Sequence, residues 1–183
     1  MRRMNIRHIS IAAALIALNL TLGKTAATLA LPVYMDTIGT ILAPALLPLG
    51  PALAVAIISP LVAGLVIHPA FPAYTGTGIA ISLVAAAALR LGAFKRLWTA
   101  LLTGFVIALV ATIVSAPVTV MVFGGVTLSG TSAVNAVLMA AGNSIWKSVI
   151  TGSMLVESVD KVAACAVVWV LLKRMPERLR TTA

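Results

Sequence analysis

The chain has 183 residues, of which 61% are hydrophobic and only 9% are charged, and its mean hydropathy is +1.13. Because soluble domains carry roughly 25% charged residues, this composition excludes an ordinary soluble domain and indicates a protein that is surrounded by lipid. The formal net charge is +9. We do not expect nucleic acid as the partner, because the positive charge lies in short clusters between apolar segments.

Ten of the thirteen lysines and arginines lie in three clusters, at the start, in the middle and at the end of the chain. The clusters are Arg2, Arg3 and Arg7; Arg90, Lys95 and Arg96; and Lys173, Arg174, Arg178 and Arg180. Clusters of this kind mark the cytoplasmic side of membrane proteins and attract anionic lipid headgroups. The chain is therefore expected to keep both termini and its middle loop in the cytoplasm.

The apolar segments between these clusters predict an all-α membrane protein with six transmembrane helices in one domain, since a span needs about 20 residues. The predicted spans, in chain order, cover residues 9–31, 36–47, 52–67, 79–91, 97–123 and 154–172. Pro32 ends the first span, and the turn Pro48–Pro51 separates the second from the third. A short extra helix is expected over Ala133–Ile150, and outer loops over 31–36, 68–78 and 124–132.

The N-terminus also has features of a signal peptide, because Arg2 and Arg3 precede an apolar run that ends near Thr25. We prefer an uncleaved first span. Its removal would leave an odd number of crossings and would place the basic C-terminus outside.

Six charged residues fall within or beside apolar segments, and their formal charges sum to zero: Lys24, Asp36, Lys147, Glu157, Asp160 and Lys161. Charge inside a membrane protein is costly and usually marks a functional site, so these groups are expected to face inward. Glu157 and Asp160 share a helix face, and Lys161 follows Glu157 by four residues. The sequence leaves open whether Glu157 binds a ligand or only pairs with Lys161.

Polar and aromatic residues near these charges predict a small-molecule pocket at the outer face. The candidate substrate-binding residues are Tyr34, Asp36, Tyr74, Asn143, Trp146, Lys147, Glu157 and Asp160. Tyr74 and Trp146 have a second interpretation as interfacial residues. Such a pocket favours a small polar or zwitterionic ring compound. Asp36, Glu157 or Asp160 would bind its positive or hydrogen-bond donor group, and Lys147 would bind its acidic or acceptor group.

No catalytic or metal-binding motif accompanies the pocket. His8 and His68 lack ligands at metal-binding spacing, Cys165 is interpreted as a packing residue, and the chain has no phosphate-binding loop or nucleophile motif. We therefore expect neither enzymatic activity nor a cofactor. Ala13 and Ala17 form a small-x-x-x-small pair that allows close approach of another helix, within this chain or on a partner.

Several local motifs resemble the substrate-binding S component of energy-coupling factor (ECF) transporters, in a bacterial subgroup whose substrates are mostly unassigned. They are Ala13-x-x-x-Ala17, Met35-Asp-Thr-Ile-Gly-Thr40, Pro48-Leu-Gly-Pro51, Phe123-Gly-Gly-Val-Thr127 and Val159-Asp-Lys161. Their order and spacing extend the resemblance over nearly the whole chain.

The resemblance implies a multi-pass protein of the bacterial cytoplasmic membrane that captures a vitamin or related micronutrient outside the cell. Its partners would be a transmembrane T component and two ATPase subunits, and docking would topple the S component in the membrane. Ala13 and Ala17 would face the T component, and the loop after the first span would act as a lid. A solitary transporter, or a membrane sensor without ATPases, remains the alternative.

Overall fold

The computed structural model describes residues 5–29, 31, 33–127 and 130–176. The basic residues Arg2, Arg3, Arg178 and Arg180, together with Pro32 and Glu177, lie outside the described residues. Seven α-helices are found within the described ranges: α1 (Ile6–Thr28), α2 (Ile38–Leu46), α3 (Leu49–Val66), α4 (Thr75–Arg90), α5 (Leu97–Met121), α6 (Gly130–Ala140) and α7 (Ile145–Arg174). Short 3₁₀ turns at Phe71–Tyr74 and Ala93–Lys95 precede α4 and α5.

The described part of the chain is entirely helical, which confirms the predicted class. Four segments are long and apolar enough to cross a membrane: Ile6–Thr28, Leu49–Val66, Phe71–Arg90 and Leu97–Met121. The 30-residue helix α7 is also long enough, at about 45 Å, but it carries charged residues at its centre. The prediction of six crossings with cytoplasmic termini goes beyond these four helices and remains a prediction.

Two of the predicted element boundaries were wrong. The expected loop over 68–78 is helical from Phe71 onward, because Pro72 lies in a 3₁₀ turn that leads directly into α4. The expected helix over Ala133–Ile150 is broken at 141–144, where Gly142 adopts a φ of +86°. Ser144 then caps α7, so the last helix begins nine residues earlier than the predicted span at Met154.

Helix α2 has nine residues and measures about 14 Å, roughly half the thickness of the hydrocarbon core. Seven of its residues are buried. Of the described residues just before it, 33–37 have no regular secondary structure except for a bend at Val33, and all of these but Met35 line the cavity. Non-helical backbone at membrane depth is tolerated when protein surrounds it and satisfies its polar groups.

Burial in the bundle is inverted relative to a soluble protein. The outer surface of α5 exposes Leu102, Phe105, Val106 and Ile113, whereas Lys161 is only 2% exposed and is among the largest fully buried side chains. An apolar exterior around a polar interior is the arrangement that a lipid environment favours.

Two glycines allow helices to approach at backbone distance. A Cβ on Gly39 of α2 would lie 2.3 Å from the Leu15 carbonyl oxygen of α1, and one on Gly104 of α5 would lie 2.7 Å from the Lys161 carbonyl oxygen of α7. Small residues at such crossings are typical of helix packing in membranes. Gly104 therefore brings α5 against the part of α7 that carries the charges.

Candidate ligand cavity

A cavity of about 510 Å³ lies inside the helical bundle. Its walls are formed by the C-terminal half of α1, the segment before α2, parts of α3, the start of α4, the end of α5 and the middle of α7. Most of its lining is apolar, with polar groups at selected positions. This size and composition are typical of sites for small organic molecules.

Asn19 of α1 organises the wall that is shared by α1, α2 and α3. Its amide nitrogen donates to the hydroxyls of Thr40 (2.9 Å) and Ser59 (3.1 Å), and its amide oxygen accepts from the Gly39 backbone N–H at 2.7 Å. Asn19 is 2% exposed. A buried amide with its groups satisfied in this way fixes the relative positions of the three helices.

Three residues of α7 form a buried charged cluster beside the cavity. The Lys161 ammonium lies 2.5 Å from Asp160 Oδ2 and 3.1 Å from Glu157 Oε2, and it lies 5.5 Å from the centre of the Tyr34 ring. The structure thus shows the Glu157–Lys161 pair that the sequence left open. Glu157 and Lys161 both line the cavity, so pairing does not remove Glu157 from the site.

Asp160 connects this cluster to the segment that joins α1 to α2. Its Oδ1 accepts from the backbone N–H groups of Tyr34 (3.1 Å) and Met35 (2.8 Å). Met35 has a φ of +54°, a left-handed conformation that non-glycine residues rarely adopt. The carboxylate therefore satisfies two partly buried amides and holds Tyr34 and Met35 over α7, while Tyr34 OH bonds the Thr131 hydroxyl of α6 at 2.7 Å.

Aromatic side chains form another part of the wall. Tyr74 shares a hydrogen bond of 2.9 Å with the Thr119 hydroxyl of α5, and its ring stacks on Phe123 with the centroids 5.9 Å apart. Phe71 lines the cavity beside Tyr74. These contacts hold the Tyr74 ring in a defined orientation.

Two hydroxyls in the cavity wall make no hydrogen bond among the described residues, and one carboxylate there has no ion pair. The hydroxyls of Thr37 and Thr77 make no hydrogen bond, although both residues are buried and less than 10% exposed. Asp36 has no ion pair within the described part of the chain. Because buried polar groups are normally satisfied, these groups indicate a site that a polar ligand completes.

Comparisons with protein families, curated proteins and solved structures found no match to this chain. The assignment of a function therefore depends on the geometry of the cavity and on the sequence motifs.

The structure brings together some of the predicted site residues and not others. Tyr34, Asp36, Tyr74 and Glu157 line the cavity, and Asp160 lies directly behind it as the acceptor for the segment before α2. Asn143, Trp146 and Lys147 do not line it. Asn143 instead donates to the Leu138 carbonyl at the end of α6, and Trp146 and Lys147 are exposed in the first turn of α7.

The expected neutral set of six charges is not assembled in the interior. Lys147 is exposed, and so is Lys24, whose ammonium bonds the Val66 carbonyl oxygen at the end of α3. The sequence predicted that these two lysines would face inward and neutralise the acids. The structure instead places both of them outside the cavity. Among the described residues, Lys161 is the one lysine or arginine that accompanies the three acidic residues in the interior.

Sequence reasoning missed Asn19, Ser59, Thr77 and Thr119, all of which line the cavity. Asn19 had a usable signal, because it is a strongly polar residue in the middle of an apolar span. The hydroxyl residues had none, since serine and threonine are common in membrane helices and bond their own backbone.

Among the described residues there is no group of three or more side chains that could hold a metal ion. The lining residues offer a ligand hydrogen-bonding groups, carboxylates and aromatic surface.

Proposed function

We propose that the chain is the substrate-binding S component of an ECF-type importer for a vitamin-like micronutrient in the bacterial cytoplasmic membrane. The observation that carries this proposal is an internal cavity at the end of an apolar helical bundle that lies opposite to the described members of its three basic clusters. The motifs of the sequence, from Ala13 to Lys161, support the same family.

The basic residues of the cytoplasmic clusters that the structure describes lie at the helix ends away from the cavity. Arg7 is at the start of α1, Arg90 at the end of α4, Arg96 just before α5 and Arg174 at the end of α7. The cavity is lined by the opposite halves of α1, α4 and α5 and by the middle of α7. If basic ends lie in the cytoplasm, the cavity belongs to the outer half of the protein.

Six crossings follow if α2 and the segment before it are counted as one crossing. Helix α2 alone spans about 14 Å, roughly half of a hydrocarbon core of about 30 Å, so the non-helical segment before it would have to complete the crossing. Discontinuous crossings of this kind line substrate sites in membrane transporters. This crossing carries Asp36 and Thr37 into the cavity.

The segment between α1 and α2 is suited to act as the lid. It covers Lys161 with the Tyr34 ring, and it is held by side-chain contacts to α6 and α7 rather than by a helix of its own. Closure of such a segment excludes water and retains the ligand while the protein moves.

Docking to the T component would use α1. Ala13 and Ala17 are exposed on the surface of this helix, so no element of this chain among the described residues fills the space beside them. An exposed small-x-x-x-small pair lets a partner helix approach closely. ATP hydrolysis belongs to the partner subunits in this account.

The substitution Ala13→Trp tests this assignment, because a bulky ring would hold the partner helix away. We expect loss of ATPase subunits from the protein purified in mild detergent, loss of ATP-dependent uptake, and retention of ligand by the isolated chain. The matched control is Ala163→Trp, which places the same ring on an exposed position of α7.

Normal co-purification and uptake with Ala13→Trp would overturn the docking surface. Uptake that continues in cells without the ATPase subunits would favour the solitary transporter instead. A stable protein partner with no small ligand would favour the sensor.

A further inference from the structure

The interior of the protein holds more negative than positive ionisable groups. Asp36, Glu157 and Asp160 lie in or directly behind the cavity, and Lys161 is the one lysine or arginine among its described lining residues. If all four groups are ionised, two negative charges are in excess. An uncompensated charge in an apolar interior is strongly unfavourable.

Lys161 is already engaged and is not available to a ligand. Its ammonium contacts Asp160 at 2.5 Å and Glu157 at 3.1 Å, and the Tyr34 ring covers it. The other carboxylate oxygen of Asp160 accepts hydrogen bonds from two backbone amides. The excess charge therefore resides on Asp36 and Glu157.

The histidine in the cavity wall is engaged by the backbone of its own loop. His68 Nδ1 accepts a hydrogen bond of 3.2 Å from the Ala70 backbone N–H. A ring nitrogen that accepts this bond is not free to donate to an acidic group of a ligand. Lys24 and Lys147 are exposed and do not line the cavity.

Two further features of the wall point to an organic ligand. The buried hydroxyls of Thr37 and Thr77 lack partners and lie on the cavity surface, where a ligand with hydrogen-bonding groups would satisfy them. Phe71 and Tyr74 present aromatic surface to the same space. Carboxylates combined with aromatic faces are the usual recognition elements for organic cations.

We propose that the ligand is a small organic cation, a ring compound with a protonated amine or amidinium-type group that Asp36 and Glu157 bind. This inference rests on the proposed function and narrows it, because the sequence alone favoured a polar or zwitterionic compound. An acidic group on the ligand would find no free lysine or arginine among the described lining residues.

The test uses three probes of nearly the same shape and different charge: benzamidine, benzamide and benzoate. The full chain in lipid nanodiscs is titrated with each probe, and the shift in melting temperature and the dissociation constant are measured. We expect benzamidine to bind at least tenfold more tightly than benzamide, and benzoate not to bind.

The substitution Asp36→Asn should remove most of the preference for benzamidine over benzamide. It is suited to the test because Asp36 has no ion pair among the described residues, so the protein should still fold. Lys147→Gln serves as the control, since it changes a charge outside the cavity by the same amount and should leave the preference intact.

Equal binding of benzamidine and benzamide, binding of benzoate, or a preference that survives Asp36→Asn would each overturn the cation site. These outcomes leave the importer proposal standing if the chain still brings down ATPase subunits. Loss of the ATPase subunits from every preparation, with benzamidine still preferred, would instead count against the importer while supporting the cation site.

Discussion

At the residue scale, the polar groups of the cavity have different roles, and the hydroxyl of Thr77 is the simplest to separate from stability. It is buried and makes no hydrogen bond within the described protein. Removing it by Thr77→Val should therefore leave the melting temperature unchanged or slightly raised. Ligand affinity should fall about fivefold, the loss expected for one hydrogen bond of about 1 kcal/mol.

Ser82→Ala is the matched control for this change. Ser82 is also fully buried without a partner, but it does not line the cavity. Its removal should leave affinity unchanged, as measured by calorimetric titration with the natural ligand. Equal losses in the two variants would mean that the hydroxyls affect packing and not the ligand.

Asp160 is predicted to stabilise the fold rather than to contact the ligand. The substitution Asp160→Asn removes the charge that lies closest to Lys161 and disturbs the acceptor for Tyr34 and Met35. A hydrogen bond to a charged group contributes about 1.5–3 kcal/mol, so we expect a clear fall in the melting temperature.

Glu157→Gln provides the comparison for Asp160, because Glu157 contacts the same ammonium at 3.1 Å and holds no backbone amide among the described residues. It should destabilise the protein less and weaken ligand binding more. The reverse order would place Asp160 at the ligand and Glu157 in the structural role.

At the scale of elements, the position of α2 depends on Gly39. A methyl group there would overlap the Leu15 carbonyl and approach Asn19, which also holds Thr40 and Ser59. We expect Gly39→Ala to destabilise the protein by about 1–3 kcal/mol through overpacking. The cavity wall should be distorted at the same time, with loss of ligand affinity.

Gly50→Ala is the control on the neighbouring helix α3, where a Cβ would meet nothing within 4 Å. Alanine favours a helix over glycine by about 1 kcal/mol, so this change should be neutral or stabilising in a thermal denaturation experiment. A Gly39→Ala protein as stable as Gly50→Ala would refute the close approach of α1 and α2.

How far the sequence predicts these elements depends on the kind of signal. Apolar length predicted α1, α3 and α5 closely, and i,i+4 spacing indicated the Glu157–Lys161 pair, because both are local properties. The break before α7 was misplaced, since it depends on the left-handed Gly142 and the Ser144 cap rather than on hydropathy.

The candidate site was predicted only in part, for a physical reason. The sequence showed six charged residues in or beside apolar segments whose formal charges sum to zero. Whether all six lie in the interior of the bundle depends on which helix faces turn inward, and the sequence did not indicate this. Lys147 follows Asn143 by four residues and was expected to share its face toward the pocket. Both lie near the start of α7, before that helix enters the bundle interior, so spacing along the helix gave no information about their distance from Asp36.

At the scale of the whole molecule, the polar groups lie at one end of the bundle interior, and apolar residues form the outer surface around them. The exposed residues of α5 match lipid, and the cavity lies opposite the basic helix ends. A bundle with this distribution of polarity can rotate in a membrane without exposing Lys161 or its acids to lipid. The proposed importer would require this property, because it would capture its ligand on one side of the membrane and deliver it on the other.

The central claim is that this cavity holds a specific small molecule, and mass spectrometry of compounds released from the purified protein tests it most directly. The protein is purified gently from cells grown in rich medium and then denatured. We predict one vitamin-like organic cation in a stoichiometric amount, absent from a Gly39→Ala preparation. No bound compound in repeated preparations of the folded protein would contradict the claim.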